Sequence, residues 1–498
     1  MSRRSTDDYV RWAAQLLALV VAFGLLLATP FARAAERDGA EPPVAAVDAV
    51  VEELVRDALA ANLELDAAGA EVWRRVAALD EARARYLPAL DLNARYSAAD
   101  GGRVIEVPVG DLLNPVYATL NQLTGQNQFP TVANQQIPLQ RSREQDTRLS
   151  LTQPLYDARL RPAREASAAQ YDAASAARTA LAGRIDRDMR TAYTRWLETR
   201  ARREILDATL ELARANQRVN ESLYANGKIT RDLVYRAEAD VLEVEQSRLA
   251  ADKGVHLAQS YVNLIRNAPF DRALPVATLE DADLDRLRTA LGRRLGQPSL
   301  APQALAATAI DRRAELKQLD ATVAAAAAGE RLARAAFQPQ LALAVDAGTQ
   351  GERYGLSADD RYVLASVVLR FNLYAGGGDT ARVAAAHALG RQARDQRDDA
   401  ELRIRLEVQQ VLDNLEVAMA SLGTAAKRVE AARSAFRIAE RKRDLGAINQ
   451  AEFLDARRAL TDAALNQNVT RFAALASLAN LEYAIGAGAR PSPPEPLP

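Results

Sequence analysis

The chain has 498 residues, no cysteine, 5% aromatic residues and a formal net charge of −1. The missing thiol excludes disulfides, thiolate metal sites, a cysteine nucleophile and a lipid-modified N-terminal cysteine. The balanced charge gives no basis for nucleic-acid binding, and few aromatics with much Ala, Arg, Leu, Glu and Asp is the composition of long packed helices.

Residues 1–35 read as an export signal: Arg3, Arg4 and Arg11 precede an apolar run, Trp12–Ala28, and Ala32-Arg33-Ala34 fits small-x-small cleavage after Ala34 or Ala35. An uncleaved anchor is the alternative, since the run is near the shortest that spans a bilayer; no later segment is apolar enough for a transmembrane helix. A first repeat, 36–267, opens on a flexible leader and on helices at Val47–Ala61 and Leu63–Tyr86, ending at Leu87-Pro88. The period then changes to two. Leu90, Leu92, Ala94 and Tyr96 alternate with Asp91, Asn93, Arg95 and Ser97, which predicts a strand at about 89–98. Ala99–Gln145, rich in Gly, Pro, Asn and Gln, reads as a long loop. A second strand follows at about 147–156, with Leu149, Leu151 and Leu155 on one face.

Helical periodicity fills 159–267, broken at 226–229. Gly227 is the helix stop, because glycine adopts the left-handed conformation cheaply. Thr230 is the predicted N-cap of the return helix, with Asp232 in its first turn. Val234, Ala237, Val241, Val244, Arg248, Ala251, Val255, Ala258, Val262 and Ile265 recur every 3.5 residues on average, a coiled-coil seam with one polar break. Residues 268–303 lose the period and gain Pro269, Pro275, Pro298 and Pro302, so they form a connector with room for a short helix.

Residues 304–486 repeat the first half. Arg313-Ala-Glu-Leu316 echoes Asn62-Leu-Glu-Leu65 and Pro339-Gln-Leu341 echoes Pro88-Ala-Leu90, both 251 residues apart. Strands are predicted at about 340–348 and 363–373. Gly376-Gly-Gly-Asp379 lacks the spacing and lysine of a phosphate loop and reads as the join into a helix capped by Asp379 or Thr380. The second hairpin, 379–486, carries a seam of Ile404, Val408, Val411, Leu415, Ala418, Leu422, Ala425, Val429, Ala432, Phe436 and Ala439, and turns at 445–448 with Gly446 as stop and Asn449 as cap. Residues 487–498 read as a proline-rich, disordered tail.

Each half thus reads helix, strand, loop, strand, long helical hairpin. Strands of this length and alternation suit a tilted crossing between lipid and water. Four strands cannot close a barrel, and an open edge cannot stand in lipid, so closure demands several copies.

In order and duplication, Tyr86-Leu-Pro-Ala-Leu90 and Phe337-Gln-Pro-Gln-Leu341 entering strands, Gln153-Pro-Leu-Tyr156 and Asn372-Leu-Tyr374 leaving them, and the two glycine-turn hairpins resemble the TolC-like outer-membrane efflux proteins, in their unlipidated branch. The resemblance implies a mainly α homotrimer. Its twelve strands, four per chain, form a membrane β-barrel that continues into a periplasmic barrel of long coiled-coil hairpins. It also implies the outer membrane as location, and a periplasmic adaptor, an inner-membrane pump and outer-membrane lipid as partners, with no cofactor and no nucleic acid. The favoured function is the exit duct of a tripartite system for small-molecule efflux. Type I protein secretion and metal efflux are alternatives, and a periplasmic coiled-coil scaffold is the non-channel one, which the four alternating strands disfavour. An enzyme is not expected: His256 and His387 lie apart on helices, without a cysteine partner.

The resemblance also carries a gate. Glu452 and Asp455 lie three residues apart beside the seam residues Phe453 and Ala456, where the family rings its periplasmic constriction with acids. The first hairpin has Leu233 and Arg236 at the equivalent positions, and three copies would gather six carboxylates into a cation-attracting ring. The alternative is ordinary solvated coiled-coil charge. Arg443 and Ile448 stand where the family often has a tyrosine and a polar latch residue. Asn114–Pro138 is expected outside the cell, where the long loops of barrels lie, with a periplasmic insert touching the adaptor as the alternative.

Overall fold

The computed structural model describes residues 45–295, 300–353 and 358–488. The predicted export signal lies outside them, as does most of the predicted tail. In chain order, α1 (Val47–Ala61) and α2 (Leu63–Ala84) lead into β1 (Ala89–Ala98). A small unit of β2 (Val104–Val107), α3 (Val109–Thr124) and β3 (Gln135–Pro138) precedes β4 (Arg143–Asp157). Helices α4 (Leu160–Ala225) and α5 (Arg231–Ile265) make the first hairpin. The connector holds α6 (Asp281–Leu295). Then come α7 (Pro302–Arg312), α8 (Ala314–Arg334), β5 (Gln340–Gly351), β6 (Arg361–Arg370) and the second hairpin, α9 (Gly378–Asp444) with α10 (Gln450–Ala484). Helices of 66 and 67 residues, α4 and α9, are each about 100 Å long at 1.5 Å per residue. The fold is mostly helical, with few strands.

Such helices hold because each is packed along its length. Helix α4 lies against α5, α8, α10, α2 and α1, and α9 against α10, α8 and α7. The buried side chains follow the seams: Ala237, Val241, Val244, Ala251, Val255, Val262 and Ile265 on α5, and Ile404, Val408, Leu415, Leu422, Ala425, Val429, Phe436 and Ala439 on α9. On α9 Leu412 is buried where the strict heptad predicts Val411, because an α-helix drifts against a 3.5-residue repeat. The largest buried side chains of α4 (Met189, Tyr193, Trp196) sit midway along it, with the Tyr193 hydroxyl donating to the Pro275 carbonyl at 2.8 Å.

The hairpins are anchored at their far ends by matching devices. Asn62 caps α2 by accepting from the amides of Glu64 and Leu65 (3.0 and 3.1 Å), and its amide nitrogen donates to the Ile265 carbonyl that ends α5 (2.9 Å). Arg313, at the start of α8, donates to the Ala484 carbonyl that ends α10 (3.1 Å) and pairs with Glu407 and Glu315 (3.0 Å each). Tyr483 lies between the guanidinium groups of Arg313 and Arg187, 4.5 and 4.6 Å from its ring centre, and burial pushes its phenol up to about 12.

The four long strands form one antiparallel sheet in the order β1-β4-β5-β6. Its register sorts most side chains by face, although Leu364 ends the row that carries Asp346. Leu90, Leu151, Val345 and Ala365 line one apolar row, and Leu92, Leu149, Ala347 and Val363 the next. On the opposite face Asp91, Ser150 and Asp346 align, with Asn93, Arg148, Gly348 and Tyr362 beside them. The Ser150 hydroxyl donates to Asp346 at 2.5 Å. Among the described residues nothing covers these rows: Leu92 and Val363 are 72% and 76% exposed. Among the described residues β1 and β6 have no strand on their outer sides, so the sheet presents two open edges.

Three expectations change. The segment 99–145 is not a loop: it holds the β2/β3 pair and α3, and β4 starts at Arg143 rather than near 147. Its asparagines pair with backbone groups instead of leaving the chain irregular. Strand β6 stops at Arg370, before Phe371 and Leu373. The N-cap of α9 is Gly377 rather than Asp379 or Thr380. The Asp379 side chain is buried, accepting from Asn372 (2.6 Å) and Arg382 (2.7 Å). The glycine run lets the helix begin earlier than its first polar cap.

Candidate functional site

The two hairpin tips are built on one backbone device. At the first, Gly227 has φ +67°; its amide donates to the Tyr224 carbonyl (2.9 Å) and the Lys228 amide to the Leu223 carbonyl (2.9 Å). At the second, Gly446 has φ +68°, with the Gly446 amide on Arg443 (2.9 Å) and the Ala447 amide on Lys442 (2.7 Å). This paired 5→2 and 6→1 closure satisfies the last carbonyls of a helix and needs a left-handed residue at the turn.

The caps differ. The Asn449 side chain accepts from the Glu452 amide at 2.8 Å, so α10 starts on a filled cap. Thr230 has the same extended backbone, but its hydroxyl donates to the Asp232 carboxylate and accepts from no amide of α5.

Glu452 and Asp455, on the first two turns of α10, are both exposed, and among the described residues neither enters an ion pair. Between them, Phe453 and Leu454 are buried with Phe436 and Ala439, and Ile448, Ala456 and Leu460 pack around that cluster. The Phe436 and Phe453 rings are 5.6 Å apart, tilted by 42°. Arg443 lies over Phe453, 4.6 Å from the ring centre, and pairs with Asp444 at 2.8 Å. Arg443 and Ile448 therefore serve the packing of the tip. The acids are held on a packed apolar footing with their carboxylates free to meet other groups. In the first hairpin Arg236 is exposed and Leu233 half-buried.

Sequence reasoning missed what joins the two hairpins. Arg457 of α10 meets Asp240 of α5 at 2.5 Å, with side chains only 3% and 2% exposed. Arg458 adds contacts to Asp240 (3.7 Å) and Glu243 (3.3 Å). Burial raises the Asp240 carboxyl above its ordinary range and lowers Arg457, so desolvation outweighs their mutual attraction. Further along, the Thr209 and Thr461 hydroxyls lie 3.2 Å apart and Asn468 donates to the Glu198 carbonyl at 3.0 Å. Within the first hairpin the ion pairs Arg203–Asp252, Arg214–Glu245 and Arg248–Asp207 flank an apolar seam, whereas the pair between the hairpins is buried. Asp240 sits next to the seam residue Val241, and nothing in its own helix announces that α10 will cover it.

Among the described residues no helix is long and apolar enough to cross a membrane and no cluster of His, Asp and Glu could hold a metal ion.

The family model described as outer membrane efflux protein matches twice, over residues 54–266 and 305–487. The fold is similar to the outer membrane protein VceC from Vibrio cholerae, with TM-score 0.72 and 19% identity over 88% of this chain and 97% of that one. It is similar to the Campylobacter jejuni CmeC outer membrane channel, at 0.72 and 14% over 94% and 95%. The open state of the Neisseria gonorrhoeae MtrE outer membrane channel gives 0.69 and 18% over 93% and 98%. The chain matches no curated protein.

Proposed function

Because the chain belongs to the outer membrane efflux protein family, we propose that it is the outer-membrane exit duct of a tripartite export system. The observation that carries this is the four-stranded sheet with two open edges and an uncovered apolar face. Neither edge nor face is stable alone: unpaired strand edges seek strands, and an apolar face of this size seeks lipid. Both needs are met if three copies join edge to edge into a twelve-stranded barrel, since about eight strands is the smallest that closes. The apolar rows would then face lipid and the Asp91–Ser150–Asp346 row the lumen. The two hairpins of each copy would continue as a helical tunnel into the periplasm. The double family match, the two matching anchors and the glycine turn shared by the tips support a duplicated chain.

The duct takes cargo from a periplasmic adaptor and an inner-membrane pump, and small molecules are its favoured cargo, with protein secretion and metal efflux as the alternatives. Glu452 and Asp455 are the proposed periplasmic gate. They are exposed, unpaired and set on the packed second tip, while the first tip offers Arg236 and Leu233 instead. Six carboxylates around one axis would draw cations into the constriction. Recording single channels in planar bilayers, with the native protein beside Glu452→Gln/Asp455→Asn, tests both levels. Native mass in mild detergent should give a trimer, and the double variant should lose cation preference and block by di- or trivalent cations. A stable monomer sinks the duct, and unchanged selectivity in a trimer sinks the gate alone.

A further inference from the structure

The segment between β1 and β4 is an ordered unit whose amphipathicity is inside out. Helix α3 is held to its own loop by asparagines. Asn114 donates to the Val132 carbonyl (2.9 Å) and accepts from the Val132 amide (2.8 Å). Asn121 does the same with Phe129 (2.8 and 3.0 Å), and Asn134 caps the helix by accepting from the amides of Gly110 and Asp111 (3.0 and 3.1 Å). At about 100° per residue, Asn114 and Asn121 share one side of α3. Leu112, Val116, Thr119 and Leu123 fall on the opposite side, within an arc of about 60°. All four are exposed, Leu112 and Leu123 at 70% and 78%. Their spacing of four, three and four is that of a helix-pairing seam.

We propose that this stripe packs against the same stripe of neighbouring copies, so that the α3 helices meet across the outer mouth of the barrel and cap it. The inference rests on the multichain reading above. Each copy's insertion springs from the ends of β1 and β4, continuing their pairing through the Ala99 amide on the Ser142 carbonyl (3.0 Å) and the Leu139 amide on the Arg103 carbonyl (2.8 Å). A closed ring of copies therefore carries a ring of these helices at one end. The competing occupant is the membrane surface, and charge disfavours it. Residues 104–138 contain no Lys or Arg and two acids, Glu106 and Asp111, whereas helices that settle on anionic lipid carry cations on their polar face. A seam without charge suits a second copy of itself.

The absence of native cysteine makes the test direct. Single substitutions Val116→Cys, on the stripe, and Ala118→Cys, exposed but about 130° from its centre, are expressed in the full chain and oxidised in outer membranes. Native mass in mild detergent of the same preparation monitors assembly. The expected result is a shift to covalent dimer for Val116→Cys and none for Ala118→Cys. If the protein assembles but Val116→Cys forms no more dimer than Ala118→Cys, the cap is refuted while the duct stands. A fluorophore on Cys at 116 quenched by spin-labelled lipid would then identify the membrane as occupant, and rapid reaction with a bulky maleimide on intact cells would identify solvent. A protein that never assembles overturns both readings.

Discussion

The two hairpin tips share a backbone and differ in everything hung on it. Both close on a left-handed glycine with the same pair of hydrogen bonds. In the first, no side chain is buried from Glu221 to Arg236, and Tyr224 and Tyr235 are 43% and 54% exposed. The second has an aromatic core of its own, Phe436 on Phe453 under Arg443, that starts one turn beyond its cap. Propensity and capping are enough to turn a helix back on itself, and only packing decides whether the turn is rigid. The proposed gate acids stand on the packed tip, where a fixed footing can aim them.

The two largest expected effects overlap in size, and the first tests what ties the tips together. Arg457→Ala leaves the buried Asp240 carboxylate with only the 3.7 Å contact to Arg458 and should cost about 3 kcal/mol in urea denaturation, the low end for breaking a buried pair. Replacing both partners, Asp240→Leu with Arg457→Met, should be close to neutral, because desolvation already outweighs the attraction within the pair. A double variant as unstable as the single one would mean that the pair contributes more than its burial costs.

Next comes the aromatic core. Phe453→Ala should cost about 3–5 kcal/mol, the range for truncating a buried phenylalanine, and should speed hydrogen exchange at 440–456. Tyr235→Ala on the first tip should stay within about 0.5 kcal/mol, as surface changes do. Equal effects would erase the contrast between the tips.

How much of this was legible in the sequence depends on the range of the interactions. Gly227, Gly446 and Asn449 were readable because turns and caps are decided within a few residues, and the four strands because their alternation is local. Helix α3 was not. Pro115 and the asparagines speak for a loop, and the helix exists because Asn114, Asn121 and Asn134 find partners up to 28 residues away. The Asp240–Arg457 pair spans 217 residues and requires knowing that α10 lies on the first hairpin. Glu452 and Asp455 could be placed on one side of a helix, while the ring proposed for them belongs to an assembly rather than to one chain.

A smaller effect should be equal at both tips. A β-carbon added at Gly227 or Gly446 meets nothing within 4 Å, so only the left-handed backbone resists it. Gly227→Ala and Gly446→Ala should each cost about 1–2 kcal/mol by that strain, read as matched losses in urea midpoint. A clearly larger loss at Gly446 would show that the aromatic core constrains the turn itself, and the backbones would no longer count as equivalent.

The smallest effect is the most specific, because it isolates one hydrogen bond in two settings with the same backbone. Thr230 and Asn449 have φ, ψ of −84°, 157° and −85°, 159°. Only Asn449 reaches its helix, on the Glu452 amide at 2.8 Å. Removing a filled cap costs about 1 kcal/mol, so Asn449→Ala should lose about that much and raise exchange at the Glu452 amide. Thr230 spends its hydroxyl on Asp232. After Thr230→Ala that acid still stands in the first turn of α5, where the helix dipole favours it, so the loss should be a few tenths of a kcal/mol. If Thr230→Ala costs as much as Asn449→Ala, the threonine hydroxyl caps α5 in solution and the asymmetry of the tips does not extend to their caps.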